Sequence, residues 1–542
     1  MKKFTRFSAL TTACIIMAAS LASCGEEKSN DSPVGSYHES IPSYERNESS
    51  ASEKYDTEYE EEVPEEVNTP SPNEEYKGYI ESGFKDPNVE PLSTFSADVD
   101  TASYSNMRRF IEDNTYVPED SVRIEEFINY FDYDYPQPND NTAFGRYAEI
   151  AECPWENSHK LLMLSLQGKE IEQNETPASN IVFLIDSSGS MSSYDKLPLV
   201  QSAFSMLAEQ LTDKDRISIV TYAGSSQTVL QGAKGSEKDE ILEALYSLNA
   251  SGSTNGEGGI NSAYELAEEY FIEGGNNRVI LATDGDLNVG ASSESELIEL
   301  IENKRDNGIY LSVLGFGTGN YKDAKLEAIA DNGNGNFSYI DSIDEAQRVL
   351  VQEMSGTLYP IAKDVKIQVE FNPSMVKSYR LIGYDNRIMN AEDFYDERKD
   401  AGEVGSGHSV TALYEVELAD ENGSYHGIPL EFASEHTEGT LTENTGRNEI
   451  CKFSVAYKDI DTNETIRTSD LFGMDKYASE TSRSMKLASA AAEYAMLLKK
   501  SEYAGNSDFS KVREKAESLN SGTDEKIAEF CSLISKAMKI YS

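Results

Sequence analysis

Five oxygen-bearing side chains, at three separate points of the sequence, have the chemistry to bind one metal ion. They are Asp186, Ser188, Ser190, Thr254 and Asp284, and the first three are spaced as Asp-x-Ser-x-Ser. Hydroxyl and carboxylate oxygens are hard donors, which suit Mg²⁺, Ca²⁺ or Mn²⁺ and do not suit a soft metal. Such a set does not saturate the ion, so a carboxylate from another protein can take an open position.

Buried strands must bring these side chains together. Residues 181–185, 278–283 and 309–316 are largely apolar runs, which is typical of central strands covered on both faces. Helical patterns alternate with them, so we predict an α/β fold with a doubly wound, mostly parallel sheet and helices on both faces. Asp186 ends the first run and Asp284 follows the second. Ligands bind beyond the carboxyl ends of such strands, where both carboxylates are expected.

This constellation resembles the metal-ion-dependent adhesion site of the von Willebrand factor type A (VWA) family. The family motif is Asp-x-Ser-x-Ser, then a distant Thr, then a distant Asp, and all five positions match in order. The resemblance implies that Ser188, Ser190 and Thr254 are direct or switchable ligands. It implies that Asp186 and Asp284 bind directly or through water. Mg²⁺ is the favoured ion, with Ca²⁺ and Mn²⁺ as alternatives.

The flanks narrow the resemblance. Residues 91–104 and 122–131 resemble the N-terminal region of YfbK-like bacterial VWA proteins, and residues 402–414 resemble the C-terminal domain of that family. The resemblance covers about residues 90–540. We therefore expect an N-terminal flanking region (89–170), a VWA domain (178–357) and a C-terminal β-rich domain with a helical tail (358–542). Strand patterns on both sides of the VWA domain suggest that it is inserted into a β-sandwich.

Enzyme motifs are absent or incomplete. Ser193 and Lys196 fit the pattern Ser-x-x-Lys, but its partner motif Lys-Thr-Gly is missing. The sequence contains no Gly-x-Ser-x-Gly, no His-Glu-x-x-His and no Walker A loop. We therefore expect a protein that is not an enzyme.

The charge balance excludes some partners. The 542 residues include 47 Lys and Arg against 96 Asp and Glu, for a net charge of −49. Nucleic acid binding needs basic residues that neutralise phosphates, so nucleic acid is not an expected partner. Contact with a membrane through a basic surface patch is excluded on the same ground.

The N-terminus has the pattern of an export signal. Basic residues precede an apolar run over residues 9–22, which is short for a membrane span and typical of a signal peptide over residues 1–23. The run ends in Leu-Ala-Ser-Cys, which resembles the lipobox of bacterial lipoproteins, with Cys24 as the lipidated residue; an ordinary signal peptide is the alternative. The prediction is a protein anchored by lipid alone at the extracytoplasmic face of the cell membrane.

Residues 24–88 are predicted to form an acidic, disordered tether after the lipidated cysteine, because they contain few aliphatic residues. Three cysteines remain beyond it: Cys153, Cys451 and Cys531. They are interpreted as buried thiols, with a Cys153–Cys451 bridge as the alternative.

The functional hypothesis is a lipid-anchored binding protein whose metal ion takes an acidic side chain of a protein partner. The alternative is an envelope assembly or scaffold protein in which the metal site is structural. Because the chain is strongly acidic, we expect the partner to carry basic residues around its coordinating acid.

Overall fold

Apolar runs and amphipathic stripes in the sequence become strands and helices in the computed structural model. It describes residues 67–139, 142–171, 176–253, 256–285, 294–319, 321–353, 356, 358–419, 448–460 and 462–542. The strands are β1 (Leu92–Ser96), β2 (Phe144–Glu152), β3 (Lys160–Gly168), β4 (Ser179–Asp186), β5 (Arg216–Tyr222), β6 (Ser226–Lys234), β7 (Asn276–Thr283), β8 (Ile309–Phe316), β9 (Phe337–Ile340), β10 (Pro360–Phe371), β11 (Val376–Ile382), β12 (Val404–Gly405), β13 (Ser409–Leu418), β14 (Glu449–Asp459) and β15 (Thr465–Gly473). The helices are α1 (Ala102–Glu112), α2 (Ile124–Asn129), α3 (Leu197–Gln210), α4 (Lys238–Tyr246), α5 (Gly256–Glu269), α6 (Glu294–Asp306), α7 (Asp323–Asn332), α8 (Ile343–Gln347), α9 (Arg483–Lys499), α10 (Phe509–Leu519) and α11 (Glu525–Ile540).

The predicted α/β domain is a six-stranded sheet in the order β6-β5-β4-β7-β8-β9. Every neighbouring pair is parallel except β5 with β6. Each of the two faces of the sheet packs into its own apolar core, because β4, β7 and β8 are buried along their full length. The doubly wound, mostly parallel fold is confirmed. The antiparallel edge strand β6 was not predicted, since its residues are half exposed and carry no long apolar run.

A β-sandwich is built from strands on both sides of this domain. One sheet has the order β1-β10-β14-β15, with β12 also paired to β10, and the other has the order β11-β13-β3-β2. Strand β3 precedes the α/β domain and β13 follows it, yet Leu161 pairs with Glu415 and Leu166 with Val410. The predicted insertion of the VWA domain into a sandwich is therefore confirmed.

Helices cover the outer face of the second sheet. Because side chains alternate along a strand, Leu161 and Met163 of β3 pack with helices α1, α2 and α9–α11, whereas Leu162, Leu164 and Leu166 face the core of the sandwich. This explains why β3 reads as a continuous apolar strand.

Buried ion pairs join α1 and α2 to the α/β domain. Arg108 of α1 bonds Asp341 at 2.6 Å and Glu345 at 2.8 Å, and Arg123 beside α2 bonds Glu327 at 2.8 Å. All these side chains are less than a tenth exposed. Removing one partner of such a pair leaves a buried charge unpaired, so these contacts fix the α/β domain against its neighbours.

The end of the predicted tether is ordered. Glu74 pairs with Arg109 at 2.9 Å and its side chain is 2% exposed. Tyr76 packs against Phe110 and Tyr321. These contacts correct the prediction of disorder for residues 67–88; the ion pair and the aromatic ring offset the chain entropy there. The predicted signal peptide, the lipidation site at Cys24 and the tether up to residue 66 lie outside the described residues.

The remaining cysteines are free thiols, with Cys153 and Cys451 buried. Burial raises the pKa of both thiols to about 12, so both stay protonated and unreactive at neutral pH. In the part of the chain that the structure describes, we find no helix with the length and apolarity that a membrane span requires.

A buried carboxylate in α2 generates a prediction on pH. Glu125 is 2% exposed, its Oε2 accepts a hydrogen bond from the Tyr384 backbone at 2.8 Å, and burial raises its pKa from 4.5 to about 7. Between these two pKa values the folded protein keeps a proton on Glu125 that the unfolded chain has released. As the pH rises from 4.5 towards 7, Glu125 therefore lowers the free energy of unfolding by an increasing amount. We expect Glu125→Gln to raise the free energy of unfolding by about 1–3 kcal/mol at about pH 8.

The measurement is urea unfolding of both proteins at about pH 8 and about pH 5. At the lower pH the gain should shrink, because the native glutamate is then protonated in the fold. The matched control is Glu370→Gln, since Glu370 is exposed. A gain of equal size at both pH values would contradict the account.

Candidate metal centre

The site lies at the point of the sheet where the order of the strands reverses. From β4 the chain proceeds outward through β5 and β6, and it then returns to the other side of β4 with β7, β8 and β9. The carboxyl ends of β4 and β7 therefore border the crevice at the switch point, where open α/β sheets bind ligands. Asp186 is the last residue of β4 and Asp284 directly follows β7.

The turn after β4 arranges the first three predicted ligands. The Ser188 backbone N–H donates to Asp186 Oδ1 at 2.8 Å, and the hydroxyls of Ser188 and Ser190 lie 3.0 Å apart. Asp186 and Ser188 are buried, at 0% and 2% exposure, whereas Ser190 is exposed. The site thus runs from the interior of the domain to its surface.

Thr254 lies outside the described residues, but the loop that leads to it is placed. The Ser251 N–H donates to the Ser187 carbonyl at 2.7 Å, and the Gly189 N–H donates to the Gly252 carbonyl at 3.0 Å. Two backbone bonds therefore hold this loop against the Asp-x-Ser-x-Ser turn, as the sequence-based hypothesis requires. Gly252 has φ +82°, a conformation that favours glycine at this turn.

The fourth described ligand, Asp284, already has one cationic neighbour. Lys196 Nζ lies 2.9 Å from Asp284 Oδ2, and the two side chains are 10% and 1% exposed. Asp284 Oδ1 and Asp186 Oδ2 are buried and have no hydrogen-bond partner among the described residues. Two carboxylate oxygens at one corner of the sheet are therefore available to a ligand.

The charge of this corner is incompletely balanced. Burial raises the pKa of Asp186 to about 6, against the hydrogen bond from the Ser188 backbone, and the nearby Asp284 carboxylate adds to the rise. Two like charges away from water favour the binding of a cation.

These residues fit a divalent ion with hard-oxygen preference. Asp186, Ser188, Ser190 and Asp284 would hold it, with Thr254 as the predicted fifth ligand. Among the described residues, no cluster of three or more His, Cys, Asp or Glu side chains has the arrangement of a metal site. The hydroxyls are therefore needed, and the ion would keep positions for water or an outside oxygen.

Sequence reasoning missed Lys196 as part of the site. It was considered only as the end of a Ser-x-x-Lys pattern, and its pairing with Asp284 depends on the neighbouring ends of β4, β7 and β8. The available signal was a single basic residue, six positions after Ser190 and directly before a helix. Tyr194 in the same segment is 88% exposed, and the sequence gives no reason to single it out.

Comparison with known families agrees with the observed architecture. A model described as "von Willebrand factor type A domain" matches residues 180–352. A model described as "Uncharacterized protein YfbK, C-terminal" matches residues 356–540, and one described as "von Willebrand factor" matches residues 70–163.

Individual proteins are also similar to this chain. The Escherichia coli (strain K12) protein named "Uncharacterized protein YfbK" is 39% identical over 471 residues, which cover 85% of this chain and 80% of that protein. Human inter-alpha-trypsin inhibitor heavy chain H3 is 30% identical over 177 residues, which cover 31% of this chain and 20% of that protein. A solved structure titled "von Willebrand factor type A from Catenulispora acidiphila" has 14% identity and a TM-score of 0.39, covering 73% of this chain and 90% of that one.

Metal binding generates a prediction on stability. At about a hundred times its dissociation constant, Mg²⁺ should add about 2.7 kcal/mol to the free energy of unfolding. We expect Asp186→Asn to lose most of this gain, because its amide offers the cation no charge. The measurement is thermal unfolding of both proteins in Mg²⁺ and in EDTA.

The matched control is Asp213→Asn. Asp213 lies in the turn before β5, at the amino end of that strand, and its side chain is 74% exposed. This variant should keep the full response to Mg²⁺. In EDTA, Asp186→Asn should unfold at no lower temperature than the native protein, since a neutral amide costs less to bury than a charged carboxylate. Equal metal responses in the two variants would contradict the assignment.

Proposed function

The chain belongs to the YfbK family of proteins with a VWA domain, and from that premise we propose that it binds a protein partner through a divalent cation. The observation that carries this proposal is the pair of buried, unpartnered oxygens, Asp186 Oδ2 and Asp284 Oδ1. Beside them, the Ser188 and Ser190 hydroxyls extend the oxygen set to the exposed rim. Hard oxygen donors favour Mg²⁺, with Ca²⁺ and Mn²⁺ as alternatives.

The partner would supply a carboxylate as the outside ligand of the cation. The exposure of Ser190 at the rim of the site supports this assignment, because an acidic side chain can approach from solvent. The net charge of −49 repels acidic proteins at long range. The fitting partner therefore carries basic residues around one coordinating Asp or Glu.

We also propose that the protein acts at the extracytoplasmic face of the cell membrane, anchored by lipid on Cys24. The sequence supports this location through the basic start, the short apolar run and Leu-Ala-Ser-Cys. The proposed activity is binding without catalysis.

A second candidate is a scaffold protein in which the site is structural. The ion pair between Lys196 and Asp284 favours it, because an internal cation already neutralises one carboxylate. In that case the corner would stabilise the domain and would contribute nothing to partner capture.

Partner capture distinguishes the two candidates. The native protein, immobilised and incubated with envelope extract, should retain a partner in Mg²⁺ and release it in EDTA. Asp186→Asn should fail to retain that partner even in Mg²⁺, because the bridging cation is lost. The measurement is quantitative mass spectrometry of the retained proteins, with Asp213→Asn as the matched control. Retention that is unchanged by EDTA and by Asp186→Asn would contradict the adhesion mechanism and support the scaffold.

Tyr194 should contribute to partner affinity without affecting the metal. Its ring is 88% exposed, four residues after Ser190. Tyrosine is enriched among the residues that carry most of the binding energy of interfaces, so Tyr194→Ala should weaken retention about tenfold. The Mg²⁺ response in thermal unfolding should stay at the native value.

The control is Tyr395→Ala, in the segment between β11 and β12 of the sandwich, where the ring is 64% exposed. This substitution should leave partner retention unchanged. An equal loss in both variants would show that the rim beside Ser190 has no special part in binding.

A further inference from the structure

Lys196 occupies a prepared position beside the metal centre. It directly precedes α3, its side chain is 10% exposed, and its ammonium lies 2.9 Å from Asp284 Oδ2. Its location next to a proposed ligand is unusual, because a resident positive charge opposes the binding of a second one.

The fold makes room for this lysine at the end of β8. Gly317 has φ +72°, and a Cβ atom there would overlap the Cγ, Cδ and Cε atoms of Lys196. The Gly317 carbonyl accepts a hydrogen bond from the Tyr339 hydroxyl at 2.8 Å, which fixes the backbone at that point. The aliphatic stem of the lysine therefore packs closely against Gly317, and its ammonium contacts Asp284.

The formal charges show what this arrangement does. Asp186 and Asp284 contribute two negative charges and Lys196 contributes one positive charge, so these three described side chains carry one net negative charge. A divalent cation changes that value to one net positive charge. One carboxylate from a partner then brings the corner to neutrality. Without Lys196, the divalent cation alone would neutralise the two aspartates.

We propose that Lys196 tunes the metal centre towards joint binding of a cation and an acidic partner. It weakens the affinity of the free protein for the cation, and it leaves the loaded site with a positive charge that one acidic side chain satisfies. The metal and the partner carboxylate attract each other directly, and by thermodynamic linkage each raises the affinity for the other by the same factor. Lys196 adds to this that the cation binds weakly when it is alone. This inference rests on the metal-binding function proposed above and adds a residue that regulates it.

The test measures the affinity for the metal alone. Calorimetric titration with Mg²⁺, and with Mn²⁺ as a second probe, should give a dissociation constant at least about tenfold lower for Lys196→Met than for the native protein, because a nearby unit charge has been removed. Lys196→Arg keeps the charge and should bind like the native protein.

Thermal unfolding gives a second readout. In EDTA, Lys196→Met should unfold at a lower temperature than the native protein, since the buried Asp284 carboxylate loses its cation. Saturating Mg²⁺ should bring the two unfolding temperatures closer together, because the metal replaces the missing charge. If Lys196→Met does not fold, Lys196→Gln supports the same comparison, since its amide can still donate to Asp284.

The matched control is Lys234→Met. The side chain of Lys234 is 47% exposed and pairs with Asp213 at 3.2 Å, at the amino end of β5. Its replacement removes the same charge from the same domain and should leave the metal affinity unchanged. This control separates the local effect of Lys196 from the effect of net charge.

The outcomes are distinguishable. A native protein that binds Mg²⁺, with the same affinity in the Met and Gln variants of Lys196, would overturn the role of Lys196 and leave the proposed function standing. Absence of metal binding in the native protein and in the neutral variants would overturn both. An equal gain in Lys234→Met would also overturn the role of Lys196.

Discussion

Two carboxylates that share a buried corner of the sheet are the constraint on which the site depends. Asp186 ends β4 and Asp284 directly follows the neighbouring strand β7, and each keeps one oxygen without a hydrogen-bond partner among the described residues. Burying like charges together is costly, so a fold retains such an arrangement where a cation or a function compensates. The Ser188 backbone and Lys196 reduce this cost only partly. The remaining charge is what a metal ion would satisfy.

The surrounding architecture holds this corner in place. The chain enters the α/β domain from the sandwich and returns to the sandwich after it, so both ends of the inserted segment are held. Buried arginines also fix the last elements of the domain. Arg348 bonds Glu345 within the same segment and Thr101 before α1, while Arg108 reaches Glu345 from α1. A ligand at the metal rim therefore binds to a domain whose last elements are tied into the rest of the protein.

The sequence predicted those features that depend on local pattern. The apolar runs gave β4, β7 and β8, and the order of the motifs placed Asp186 and Asp284 at neighbouring strand ends. The strand pattern before and after the α/β domain also predicted the paired β3 and β13. These predictions succeeded because burial on both faces leaves a continuous apolar signature.

What the sequence did not predict depends on tertiary contacts. Strand β6 lies at an exposed edge, and its half-polar residues give no clear signal. The ordered stretch around Glu74 has the composition of a disordered segment and is held by Arg109, which is distant in sequence. Lys196 belongs to the site only because Gly317 and Asp284 follow two other strands.

The inserted topology has a consequence for biosynthesis. Translation delivers β1, β2 and β3 first, whereas β13 and β10 follow only after the entire inserted domain has left the ribosome. The inserted domain is contiguous and can fold while the nascent chain grows, but β3, which can already pair with β2, must wait for its second partner β13. During that interval β3 exposes apolar side chains on both of its faces, the kind of surface through which incompletely folded chains aggregate.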